Sequence, residues 1–138
     1  GYFIVKKYIT MSGGLFRPII PVGKIPVDKD EKYSFLAREK AERLSKDISD
    51  TDHLTSYESR DPAFIFPENH QLWGKWGGAV LVNMFTIYSF SGFPELVDEA
   101  FVCWVALKRR KMTKEYFMEL CKRRDDNPYL RVILKHIK

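Results

Sequence analysis

The stretch from Trp76 to Ala100 constrains the fold of this chain more than any other. A glycine pair, Gly77-Gly78, opens the apolar run Ala79-Val80-Leu81-Val82. A tight turn near Asn83-Met84 returns a second run, Phe85 to Phe90, and Ser91-Gly92-Phe93-Pro94-Glu95 then launches a helix. Both runs are apolar at nearly every position. That pattern suits strands covered on both faces rather than strands with one face wet.

The rest of the chain supplies what such a hairpin needs around it. Tyr2 to Ile9 is rich in β-branched and aromatic residues, and a turn at Met11-Ser12-Gly13-Gly14 leads into Leu15 to Ile20. Two extended runs about a Gly-Gly turn read as a second hairpin. Pro18 cannot donate to a ladder, which places its second strand at a sheet edge or ends it early. Pro21, Gly23 and Pro26 make the next stretch a loop. From Asp30 to Ile48, the residues Tyr33, Ala37, Ala41, Leu44 and Ile48 recur every three or four positions, the stripe of an amphipathic helix.

Ser49 to Arg60 is polar and patternless and reads as a mobile loop; Asp61 to Pro67 is short, apolar and proline-bounded, an irregular cover. The helix after Ser91-Gly92 is expected to bury Leu96, Ala100, Cys103 and Leu107, with Ser91 or Gly92 as its cap. Glu95, Asp98 and Glu99 suit its positive end and Lys108 to Lys111 its negative end. Thr113 and Asn127-Pro128 start two further helices. The order β-β-α-β-β-α plus a helical tail predicts an α+β chain: an antiparallel sheet with packed helices, one domain over residues 1–138, with 112–138 a basic helical extension.

A chain of 138 residues buries roughly two-thirds of its unfolded surface without staples. No apolar run approaches the roughly 20 residues that span a bilayer, so no membrane partner is expected. The first residues lack the order of a secretory signal, and a cytoplasmic location is the default. Two cysteines are too few for a disulfide scaffold; Cys103, inside a helical apolar pattern, reads as a buried free thiol. No Cys/His grouping has zinc-site spacing. The net charge of +5 is unevenly spread: from Lys108 onward the chain carries eleven basic and four acidic residues, so the remainder is slightly acidic.

Four segments, in order, resemble the GlcG/HbpS superfamily, the haem-degrading or haem-binding domain. They are the Gly13-Gly14 turn, Arg38-Glu39-Lys40-Ala41 in the central helix, Gly77-Gly78 before the second hairpin, and Ser91-Gly92 with Asp98-Glu99-Ala100. The wording Gly-Gly-Ala-Val-Leu-Val is closer to the bacterial and fungal branch than to the haem sensors. The resemblance covers roughly residues 3 to 107. It implies a profilin- or PAS-like sheet, homo-oligomers, and a pocket for haem or another small molecule. Two features depart from it: the chain begins directly in strand where family members begin with a helix, and the helices beyond residue 112 lie outside the pattern.

With that pocket in view, His53, His70 and His136 are candidate haem ligands, beside Met and Tyr side chains. His70 stands out because it lies in Asn69-His70-Gln71-Leu72-Trp73-Gly74-Lys75-Trp76, an aromatic loop beside the glycine pair that is able to line a flat ligand. The same loop also reads as a surface turn anchored by Trp73 and Trp76 with a solvated histidine. Gly77-Gly78 brings backbone close to a ligand, or supplies unusual dihedrals and close packing. Ser91-Gly92 marks an anion site at a helix N-terminus or a cap.

Asp98-Glu99 is not a facing acid–base pair, since adjacent helical residues point about 100° apart. No nucleophile elbow, phosphate loop or metalloprotease motif is present, so no reaction is legible. The competing signal is basic. Lys108-Arg109-Arg110-Lys111 and Lys122-Arg123-Arg124, near Tyr116, Phe117 and Tyr129, offer a surface for nucleic-acid phosphates or an acidic protein, or a solvated helix face.

Overall fold

A computed structural model describes residues 1–7, 19–25, 27–48, 51–60 and 76–137. The first hairpin is formed by β1 (Tyr2–Lys7) and β2 (Ile19–Pro21); its Gly13-Gly14 turn lies outside the described residues, as do Pro18 and the segment 61–75. A single 3-10 turn, Val27–Lys29, runs into α1 (Asp30–Asp47). The second hairpin is β3 (Ala79–Asn83) and β4 (Thr86–Ser91), followed by α2 (Glu95–Lys108), α3 (Lys114–Arg123) and α4 (Pro128–Ile137). The four strands form one antiparallel sheet in the order β2-β1-β4-β3, so the chain is α+β as the sequence predicts.

Alternation along the central strands sends residues to two separate cores. On one face Ile4, Ala79, Leu81 and Ile87 pack against Ala37, Ala41 and Leu44 of α1. On the other, Phe3, Val80, Val82, Tyr88 and Phe90 pack against α2 together with Phe117 and Leu120 of α3 and Leu130 of α4. The continuous apolar runs are therefore buried on both faces. The Phe90 ring lies 4.6 Å from that of Phe101 and 5.4 Å from that of Phe93, extending this core toward the start of α2. The last two helices share the second core rather than hanging from it. Their starts are those expected: the Thr113 hydroxyl accepts from Tyr116 N at 3.1 Å, and Asn127 Oδ1 accepts from Tyr129 N at 3.0 Å, one position ahead of Pro128.

Three expectations give way. Residues 51–60 are not a free loop: Thr55 bridges Val80, Ser56 N donates to Ala79 O at 2.9 Å, and Leu81 N donates to Leu54 O at 2.8 Å. The segment is polar because its side chains complete this seam, with Ser56 Oγ accepting from Ala79 N and Glu58 accepting from Leu54 N and Thr55 Oγ1. Ser91 and Gly92 do not cap α2; Ser91 ends β4, and Pro94 holds the N-cap position. The buried face of α2 is Asp98, Glu99, Ala100, Val102, Cys103 and Ala106, with Leu96 and Leu107 only half-buried. Two carboxylates occupy the interior there because each has a cation waiting.

One of those cations is Arg124, which the charge pattern places on a basic surface. It is 3% exposed, and its Nε donates to Glu99 Oε1 at 3.0 Å. Asn127 Nδ2 adds a bond to Glu99 Oε1 at 3.0 Å, and Asp126 pairs with the Arg124 Nη1. The Arg124 guanidinium also lies 3.7 Å from the centre of the Tyr57 ring, and the Arg60 guanidinium lies 3.5 Å from the same centre. Burial pushes the Glu99 carboxyl above its ordinary range, opposed by Arg124. Glu99→Ala strands a buried guanidinium and should cost about 3–5 kcal/mol in urea denaturation, whereas Glu99→Leu combined with Arg124→Met should recover most of that loss.

Candidate functional site

Lys40 lies on the core-facing side of α1, three residues after Ala37 and four before Leu44, where a lysine has no water to reach. It is 1% exposed, as is Asp98 of α2. The Lys40 ammonium donates to Asp98 Oδ2 at 3.0 Å and to the Phe90 carbonyl at 2.9 Å. Asp98 Oδ1 in turn accepts from Phe93 N at 2.9 Å, so this carboxylate holds the turn that leads into α2. The pair ties α1, the end of β4 and the first turn of α2 to one point.

Gly78 makes that meeting possible. Its φ of 130° belongs to glycine, and a Cβ built there would stand 2.7 Å from Lys40 Nζ and 2.9 Å from the Phe90 carbonyl. At Gly77 a Cβ would press on Tyr57 at 2.9 Å, and its amide donates to Glu95 Oε2 at 3.1 Å. Of the two roles open to the glycine pair, the structure displays close packing around a buried ion pair.

Above the pair lies a cleft of about 320 Å³. Tyr33, Leu36 and Lys40 of α1 form one wall, with Lys32 at the rim. Trp76 and the turn Ser91-Gly92-Phe93-Pro94 form the other, and Glu95 and Asp98 close the end. Trp76, Ser91 and Gly92, marked by sequence, thus come together, and Gly77 and Gly78 lie immediately beneath. The Trp76 carbonyl is held by Arg43, which also donates to Ser56 O at 3.1 Å. His70 and Trp73 lie outside the described residues. His53 and His136 do not line the cleft, and the His136 ring is bonded within its own helix to Val132 O at 2.8 Å.

The sequence reading missed Lys40, Tyr33, Leu36 and Phe93 as cleft residues. A signal was present: Leu36, Lys40 and Leu44 share one helical face, and a lysine flanked by core positions at both four-residue steps asks for a buried partner. Chemically, the site offers apolar walls, a buried amine, a second amine at the rim and the carboxylates of Glu95 and Asp98. An ammonium has three N–H donors, and Lys40 spends two of them on Phe90 and Asp98. Burial lowers the Lys40 pKa, and it raises that of Asp98 to about 6 against the pull of Lys40 and the turn amides. No group of three or more acidic, His or Cys side chains able to hold a metal occurs among the described residues. Cys103 is buried and free, and desolvation pushes its thiol well above the ordinary value, which makes it inert.

The basic residues divide. Arg124 is interior, whereas Lys122 and Arg123 are exposed but paired, Lys122 with Glu119 and Arg123 with Glu58 at 2.7 Å. Lys108, Arg109, Arg110 and Lys111 stay at the surface, where the α2 chain ends.

Gly78→Ala should lower stability by at least about 2 kcal/mol in thermal or urea unfolding, because it adds both backbone strain and overlap. Asp98 gives a pH signature. An acid whose folded pKa stands above its unfolded value binds its proton more tightly when folded. Stability from this group is therefore greatest below about 4 and is lost as the pH rises through about 6. Wild type should gain on Asp98→Asn as pH falls from about 7 to about 4.5, read as the difference between paired urea titrations.

No protein family, curated protein or solved structure matches this chain.

Proposed function

We propose that the chain is a non-enzymatic binding module of GlcG/HbpS-like type whose ligand, a flat and partly apolar small molecule, sits in the cleft over Lys40 and Asp98. The observation that carries this reading is the convergence of Trp76, Ser91 and Gly92 with the α1 wall on one concave site floored by a buried amine. Ligand sites combine apolar and aromatic walls with a few fixed polar groups, and here the free donor of Lys40 and the Ser91 hydroxyl supply them. Ring stacking against Tyr33, Trp76 or Phe93 sets orientation, and Lys40 takes an oxygen of the ligand.

Haem belongs to this reading through His70, the histidine nearest in sequence to Trp76; no His, Met or Cys lines the cleft among the described residues. The reading also takes the module to be cytoplasmic and to self-associate, with the exposed Met84 and Phe85 at the β3–β4 tip among the side chains a second copy covers. No helix among the described residues is long and apolar enough to cross a membrane.

Titration with protoporphyrin IX and with haemin tests the reading. Protoporphyrin IX should bind saturably, and Trp76→Ala should weaken it by about tenfold, the loss of one stacked aromatic wall. Haemin should show a histidine-type Soret shift that His70→Ala removes. Absence of saturable binding by either porphyrin, or binding indifferent to Trp76→Ala, overturns the assignment of the cleft.

A further inference from the structure

The α2–α3 corner breaks two local rules at one place. The first break is Arg110, whose φ of 58° puts a bulky residue in the left-handed region. The corner is a Schellman motif: Lys111 N donates to Ala106 O at 2.8 Å and Arg110 N to Leu107 O at 3.1 Å. Its left-handed position is the one that glycine normally takes, because a Cβ there is strained. The second break is Lys114, the first residue of α3, where the helix dipole disfavours a cation. Local stability favours neither residue, and residues that break local rules concentrate at functional sites.

Both side chains line the same groove, which has a volume of about 380 Å³. Its apolar floor is Trp104 of α2, Met112 of the α2–α3 turn and Ile137 of α4. The charged residues that line it are Lys108, Arg110 and Lys114, with no acid among them. Lys108 Nζ sits 4.4 Å from the centre of the Trp104 ring, which joins the cationic rim to the aromatic floor. Neither Arg110 nor Lys114 has an ion-pair partner among the described residues, in contrast to Arg123 and Arg124. Glu115, in the first turn of α3, is the acid closest in sequence and does not line the groove.

We propose that this groove is a second binding site, separate from the cleft over Lys40, for a small amphiphilic anion: an apolar ring or short acyl body on the Trp104–Met112–Ile137 floor, and a carboxylate or phosphate held by Arg110 and Lys114. Charge complementarity selects the anion, and Arg110 offers a planar fork suited to two-point contact with its oxygens. The size of the groove fits a small molecule, since ligand pockets begin at roughly 300 Å³. The misplaced charges thereby gain the partner that the chain itself does not provide.

The test uses 2-naphthyl phosphate as the probe and 2-methoxynaphthalene as its neutral counterpart, with binding followed by equilibrium dialysis on the full chain. Saturable binding of the phosphate, weakening as salt rises, with little binding of the neutral analogue, is the expected result. Arg110→Gly and Lys114→Gln should each reduce affinity by about fivefold or more, the loss of one charge-assisted contact. Arg110→Gly should at the same time leave the melting temperature unchanged or raise it by a few degrees, since glycine relieves the left-handed strain. That opposite movement of binding and stability separates a lost contact from a damaged fold. Trp76→Ala, in the other cleft, should leave this binding as it is. Equal affinity for the two naphthalenes, or binding indifferent to Arg110→Gly and Lys114→Gln, overturns the proposal. So does retention by phosphatidylserine vesicles or by a single-stranded oligonucleotide without saturable binding of the free probe, which makes the corner a polyanion surface instead.

Discussion

The buried contact between Lys40 and Asp98 is the constraint around which this fold is arranged. Removing two charges from water costs several kcal/mol for each, and attraction offsets that only where geometry is good and remaining donors and acceptors are filled. Here the Phe90 carbonyl takes a second ammonium proton and the Phe93 amide fills the second carboxylate oxygen. Those demands require β4 to end where it does, α2 to begin where it does, and a residue without a side chain at position 78. The cleft is what remains open above these elements once they have met.

A second charged contact, between Glu99 and Arg124, holds the opposite side of the same helix. Adjacent carboxylates on α2 point in different directions, and each is claimed by a different layer: Asp98 by α1, Glu99 by the turn between α3 and α4. The helix has little freedom to rotate about its axis, because a turn that improves one contact breaks the other. The C-terminal helices are consequently bound into the core chemically as well as by packing.

The sheet was legible in the sequence because strands covered on both faces leave an unmistakable apolar run, as Ala79 to Val82 and the run ending at Phe90 do. Phe85, read as part of that second strand, instead stands exposed at the tip before β4 begins at Thr86. Helix starts at Thr113 and Asn127 were legible because capping is local chemistry between residues two or three apart. The buried charges were not. Nothing in the spacing of Asp98, Glu99 or Arg124 distinguishes a surface ion from a core ion, since the partners lie 58 and 25 residues away in sequence. Dipole complementarity gave Asp98 and Glu99 a plausible exposed role, and a run of basic residues did the same for Arg124. The polar segment 51–60 misled in the same way: hydroxyls and a carboxylate that satisfy a strand edge have the composition of a solvated loop. Of the cleft, Trp76, Ser91 and Gly92 were visible through their setting. Its α1 wall was hidden inside an ordinary amphipathic stripe.

The seam that residues 51–60 make along β3 has a consequence for how the chain behaves in company. An unpaired strand edge is a template on which other chains polymerise, and an apolar strand such as Ala79 to Val82 is the dangerous kind. Leu54 and Ser56 occupy the hydrogen-bonding groups of Ala79 and Leu81 that another copy would otherwise use, with Thr55 set opposite Val80. Leu54 of the same segment also packs against both cores. Cleavage or local opening here would therefore uncover an aggregation-prone edge and loosen both cores at one end, and a modest polar segment guards the colloidal stability of the chain.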